Sequence, residues 1–272
     1  MPLRSPILNV MVTAILKASR GLSRDFGEVQ QLQVSRKGPA DFVSTADKKA
    51  AGILFEQLSL ARPEYGFIME ERGLIKGKRA DMVWVVDPLD GTENFLHGIP
   101  HFAISIALLE KGRITAAVVY NPIQDEMYWA EDGKGAWMND RRLRVSARSS
   151  LGDCLLATGI PWKGRPGQEE FEEELKSLSP NVAGIRCFGS AALDLAYVAA
   201  GRYDGFWKDN LKSWNIAAGI LLVKEAGGYV TQTNGESNPI ETGSLLATNE
   251  QVHSDLQKSL QEAGKVFNKK NK

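Results

Sequence analysis

The stretch Trp84-Val85-Val86-Asp87-Pro88-Leu89-Asp90-Gly91-Thr92 carries an apolar run straight into a turn that holds two carboxylates. Together with Val83 the run is β-branched and aromatic, which predicts a strand over 83–86. Pro88 fixes its own φ and Gly91 lets the chain turn sharply, so the strand ends at the acids. A strand end that presents Asp87, Asp90 and a backbone carbonyl offers oxygen ligands to a hard cation such as Mg²⁺, which favours near-octahedral coordination. The same string also reads as a surface Asx turn, and this segment taken alone leaves both readings open.

Upstream, apolar spacing predicts a helix over 7–26, a polar loop at Arg36-Lys37-Gly38-Pro39, and a second helix with Ala51, Leu54, Phe55 and Leu58 on one face. Two helices are thus expected before the first good strand. Asp47 stands at the start of the second helix and Glu70-Glu71 follows an apolar run; singly, each reads as an N-cap or a solvated acid. Downstream, β-like runs at 103–108, 114–120 and 127–130 are separated by short turns, which favours antiparallel pairing. Beyond Leu155, helix candidates at 169–178, 190–200, 214–225 and the C-terminal stretch alternate with strand candidates at 184–187, 205–207, 229–231 and 245–247. The alternation predicts layered α/β architecture with mixed sheets.

A chain of 272 residues can bury a large core, and it is expected to form one unit with approximate halves at 1–150 and 151–272. Its 43% hydrophobic and 24% charged residues fit a soluble globular class. Lys+Arg and Asp+Glu each number 33, so no excess positive field exists to hold a nucleic acid backbone non-specifically. The N-terminal apolar positions Leu8, Met11, Val12, Ile15 and Leu16 are interrupted by polar residues too often to span a bilayer, and no signal-peptide pattern accompanies them. A cytoplasmic location is expected, with Cys154 and Cys187 as reduced thiols and no membrane partner.

Three longer strings turn these acids into a pattern: WVVDPLDGT at 84–92, GSAALDLAYVAAGRYDGF at 189–206 and SWNIAAG at 213–219. In order after Asp47 and Glu70, they resemble the inositol monophosphatase family and its wider lithium-sensitive phosphatase superfamily over nearly the whole chain, especially its bacterial members. The resemblance implies an α/β (α+β) fold, a layered αβαβα sandwich with mixed, largely antiparallel sheets. It implies Mg²⁺-dependent hydrolysis of a small phosphate monoester, by default inositol 1-phosphate, through activated water and without a covalent intermediate. By the same resemblance Glu70, Asp87 and the Leu89 carbonyl hold a first Mg²⁺, and Asp87 bridges to a second held with Asp90 and, at the last position, Asn215. Two or three ions are implied, and two that share a carboxylate typically lie ~3.5–4 Å apart.

Asp47 and Thr92 match the pair that orients the attacking water, with Glu70 as a further catalytic acid. Asp90, Gly91, Thr92, Gly189, Ser190, Ala191 and Lys208 match substrate-contacting positions, and Lys37 matches a loop near a third ion. Plainer readings stand beside these: Thr92 as a helix cap, Ser190 as an N-cap with Leu193, Ala196 and Tyr197 as core, and Lys37 as a solvated lysine. Homodimers, inhibition by lithium and, for some bacterial members, association with transcription machinery are also implied.

The chain departs from the family pattern at three places. Asn215 replaces an aspartate, which removes a negative charge from the second metal site and predicts that it is weakened. Lys208 replaces a common glutamate, so a group that donates stands where one that accepts is usual. Glu93 replaces a second threonine and either adds charge near the ions or faces solvent. Competing readings are a related phosphatase of histidinol phosphate, fructose bisphosphate or adenosine bisphosphate, or an impaired enzyme with a binding role. His97 and His101 are set apart as zinc ligands by Gly98 and Pro100 between them, GSAALD lacks a histidine base, and no phosphate-binding glycine loop opens a helix.

Overall fold

The structure, a computed structural model, describes residues 3–29, 34–38, 41–161 and 166–270. The first helix, α1 (Pro6–Gly27), starts one residue before the predicted boundary because Ser5 caps it. The Ser5 hydroxyl accepts from the Leu8 N–H at 3.3 Å, and Pro6 sits where no amide hydrogen is needed. The polar loop expected at 36–39 is corrected: β1 (Val34–Gly38), which contains Lys37, pairs antiparallel with β2 (Asp41–Ser44), while Pro39 lies outside the described residues. Tertiary pairing, and no apolar alternation, makes that hairpin. It leads directly into α2 (Thr45–Ala61).

Four strands, rather than none, precede the apolar run: after the hairpin come β3 (Tyr65–Met69) and β4 (Gly73–Ile75), then β5 (Arg79–Asp90). The short α3 (Thr92–Leu96) separates β5 from the meander β6 (Ala103–Glu110), β7 (Arg113–Asn121), β8 (Glu126–Glu131), β9 (Gly135–Met138) and β10 (Arg141–Arg142). The expected antiparallel pairing holds from β5 through β10, but β3 lies parallel to β5. Together they form an eight-stranded sheet in the order β10-β9-β8-β7-β6-β5-β3-β4.

The second half supplies β11 (Leu155–Thr158), α4 (Gln168–Leu178), β12 (Gly184–Arg186), α5 (Ala191–Ala199), β13 (Gly205–Lys208) and α6 (Ser213–Glu225). It ends with β14 (Tyr229–Thr231), α7 (Pro239–Thr242), β15 (Leu245–Thr248) and α8 (Glu250–Lys270). Its five-stranded sheet runs β12-β11-β13-β15-β14, with β11 parallel to both neighbours and the other pairs antiparallel.

Strand alternation builds the layers. On one face of the large sheet Trp84, Val86, Ile104, Ile106 and Val118 pack with Leu8, Met11, Ile15, Leu54 and Leu58 of α1 and α2. On the other face Val85, Ala103, Ala107, Ala117 and Ala130 pack with α5 and α6, whose Leu195, Ile216 and Leu222 reach the small sheet at Ala157, Phe206 and Ala247. The far face of that sheet places Leu156, Trp207 and Leu246 against Phe171 of α4 and Leu256 of α8. The result is the expected αβαβα sandwich of mixed, largely antiparallel sheets. Both faces of each central strand are buried, and the run of alanines toward α5 and α6 lets those helices lie close to the sheet.

Candidate active site

The large sheet breaks its register where the acids lie. Asp87 opposes Ser105 and Asp90 opposes Ala103, so three residues of β5 advance against two of β6. Pro88 has no amide hydrogen for the ladder, and the bulge it occupies re-aims the flanking carboxylates. The Asx turn read from the sequence forms within it, the Leu89 N–H donating to Asp87 Oδ1 at 3.1 Å. Gly91 follows with φ 95°, and a Cβ there would lie 3.0 Å from the His101 carbonyl oxygen, so this turn needs glycine. Gly91 occupies the N-cap position of α3 and Thr92 its first turn. The Thr92 hydroxyl accordingly caps nothing; it donates to the Leu89 carbonyl at 2.9 Å.

Parallel pairing of Met69 with Val86 brings Glu70, the residue just past the end of β3, alongside Asp87. The Glu70 N–H donates to the Val86 carbonyl at 3.4 Å. Asp47, in the first turn of α2, is buried on the same side. The Asp87 carboxyl is held well above the ordinary carboxylate range, first by complete burial and then by the negative charges of Glu70, Asp90 and Asp47. Asp47, Glu70 and Asp90 thus all bear on the buried Asp87.

Asp90 links the two halves. Its Oδ2 accepts from the Ser190 hydroxyl at 2.5 Å and the Ala192 N–H at 2.8 Å. Ser190 is also the N-cap of α5, accepting from the Leu193 N–H at 3.4 Å, so capping and contact with the acid site share one hydroxyl. Burial raises the Asp90 carboxyl, while these two donors and the Lys208 ammonium oppose that rise.

A cavity of about 390 Å³ opens over these groups. Glu70, Asp87, Leu89, Asp90, Gly91 and Thr92 form one wall, and Gly189, Ser190, Ala191, Lys208 and Asn215 line it from the second half. Asp47 is not among the lining residues; its charge bears on Asp87. Glu93 lines the cavity and does not merely face solvent. Asp194 also lines it; the sequence showed it only as the acid of GSAALD, set aside for want of a histidine base. Its Oδ1 is buried without a hydrogen-bond partner among the described residues, and an acid four residues after the N-cap on an all-buried helix was the available signal.

The donors fit one hard cation. Glu70, Asp87 and Leu89 line the cavity together, and Mg²⁺ is commonly held by one or two carboxylates with water and phosphate oxygens completing its shell. Among the described residues no three His, Cys, Asp or Glu side chains converge as a ready-made metal cage. A second ion fits poorly. Asn215 was expected to offer its amide oxygen, but that oxygen accepts from the Lys212 N–H at 3.1 Å, and the amide nitrogen donates to Asp87 Oδ2 at 2.9 Å. His97 and His101 do not share a helix face, because α3 ends at Leu96.

Comparison with known proteins bears on the fold and the family. The model of the inositol monophosphatase family matches residues 3–265. A protein named inositol-1-monophosphatase from Mesorhizobium japonicum is 56% identical, covering 94% of this chain and 97% of that one. A Nus factor SuhB from Escherichia coli is 42% identical over 91% of this chain and 92% of its own. Among solved structures, the extragenic suppressor protein suhB of Bartonella henselae superimposes with TM-score 0.91 at 56% identity, covering 94% of this chain and 98% of the other. An IMPase from Thermotoga maritima gives TM-score 0.87 at 32% identity, covering 96% and 99%. The order of the acids, the sandwich that gathers them and these matches lead to one statement: the chain belongs to the inositol monophosphatase family.

Proposed function

We propose that the protein hydrolyses a small phosphate monoester, with inositol 1-phosphate as the default substrate, in a Mg²⁺-dependent reaction without a covalent intermediate. The observation that carries this reading is the fully buried Asp87, on which the charges of Glu70, Asp90 and Asp47 all bear, a concentration of negative charge that a cation would relieve. Glu70, Asp87 and the Leu89 carbonyl would hold Mg²⁺, which when bound supplies Lewis acidity at the phosphoryl group and makes water more acidic.

Asp47 and Thr92 orient the attacking water: Thr92 lines the cavity, and the charge of Asp47 bears on Asp87. Gly189, Ser190 and Ala191 let a polyol approach the backbone, and Lys208 offers a donor to the substrate's hydroxyls or to a second anionic group. Relatives named inositol-1-monophosphatase support the choice of substrate. Phosphate release from inositol 1-phosphate across a Mg²⁺ series tests it. Turnover that rises with Mg²⁺ and stops with EDTA is expected; release unaffected by EDTA, or none at any Mg²⁺ concentration, overturns it.

A second reading, binding within a transcription assembly, is favoured by the relatives named Nus factor at 42% identity. It predicts that an Asp87→Ala variant keeps its protein partners in a pull-down. Dimer formation and a cytoplasmic location belong to the same family-based proposal.

A further inference from the structure

The poor fit of a second ion has a specific cause in two side chains. Asn215 is the third residue of α6, and its orientation is fixed at both ends: the oxygen receives the Lys212 N–H and the nitrogen donates to Asp87. Flipping the amide would set its NH₂ against the Lys212 N–H, donor against donor, and lose the helix cap. An aspartate here would receive the same N–H with one oxygen and keep the other for a cation. Asn215 therefore turns that second position from an acceptor into a donor.

Lys208 sits at the end of β13, and its side chain runs across Gly159 so closely that any Cβ there would collide with it. The ammonium acts on both Asp90 and Asp194, and it opposes the burial of each. Asp194 is 2% exposed, and its Oδ1 lacks a hydrogen-bond donor among the described residues. Lys208 thus supplies a positive charge to the acids on the far side of Asp87, where Asp90 already spends Oδ2 on Ser190 and Ala192.

We propose that the chain replaces a second divalent cation with its own Lys208 ammonium and Asn215 amide hydrogens, and binds a single ion at Glu70, Asp87 and the Leu89 carbonyl. The inference rests on the metal-dependent reading above. Mn²⁺ binding to the full chain tests it without recourse to activity, by titration and electron paramagnetic resonance. About one Mn²⁺ per chain with the six-line spectrum of an isolated ion is expected. The Lys208→Glu/Asn215→Asp double variant should roughly double that count and show the exchange-coupled spectrum of two ions sharing a carboxylate. A wild-type chain that binds two coupled ions overturns the proposal and leaves the metal-dependent reading standing, whereas no Mn²⁺ binding overturns both. A folded double variant that still holds one ion overturns the assignment to these residues, and the wild-type count decides the matter should that variant not fold.

Discussion

Asp87 accepts from Leu89 and Asn215 and still lies among three like charges, so a bound cation relieves strain that folding alone leaves in place. Saturating Mg²⁺ at about 100 times its dissociation constant should stabilise the protein by ~2.7 kcal/mol. Asp87→Ala should abolish that gain, which thermal melts with and without Mg²⁺ will read. Asp47→Asn keeps the size of the side chain but loses its charge, and turnover should fall about 10²–10⁴-fold if it orients water as proposed. Glu174 offers a pH test away from the cation site: burial first, then the charges of Asp209 and Glu170, push it up to about 7 against the Trp207 N–H that donates to it at 2.9 Å. Folding retains a proton there that the unfolded chain releases above the ordinary value of 4.5, so this contribution is present at low pH and lost as pH rises through about 7. Glu174→Gln should flatten that part of the stability–pH curve, gaining on the order of 3 kcal/mol over wild type between acid and pH 8.5. Asp87 and Asp90 were legible in the sequence because they end an apolar strand, whereas Asp47 and Glu70 gained their roles only from the family resemblance. The donor role of Asn215 was not, because it depends on which end of the amide the first turn of α6 claims.

At the scale of elements, α5 and α6 meet where Gly219 faces Leu195, and an added Cβ would fall well inside contact distance of the leucine's Cβ and Cδ1. Leu195 cannot move its Cβ without shifting its helix. Gly219→Ala should therefore destabilise by about 1–3 kcal/mol despite alanine's better helix propensity, as measured by chemical denaturation. The strands β5 to β8 were legible since apolar side chains fill both faces. The hairpin β1–β2, the short β4 and β10, and the parallel join of β3 to β5 were not, since short or polar strands are defined by the strand they pair with and not by their own pattern. The same limit hid the bulge at Pro88: the proline was visible, but the count of three residues against two needs the neighbouring strand.

Across the whole molecule, the bond from Ser190 to Asp90 spans 100 residues of sequence and fastens α5 to the end of the large sheet. Ser190→Ala removes both this donor and the N-cap, at a cost of about 1–2 kcal/mol. Hydrogen exchange should quicken together at 88–92 and 190–194, on both sides of the clasp; faster exchange confined to α5 would mean that the hydroxyl acts as a cap alone. The sandwich itself was legible from the sequence because the family strings lie in each half, but which layers share the cavity was not.

Asn215 lies 128 residues after the Asp87 it touches. A ribosome adding 5–20 residues per second therefore exposes the acid-bearing strand for on the order of ten seconds before the helix that covers it exists. Over that interval Asp87 and Asp90 are without the Asn215 amide and the Lys208 ammonium that act on them in the finished fold, so the site's own counter-groups arrive last. Maturation of the site is timed by translation of the second half.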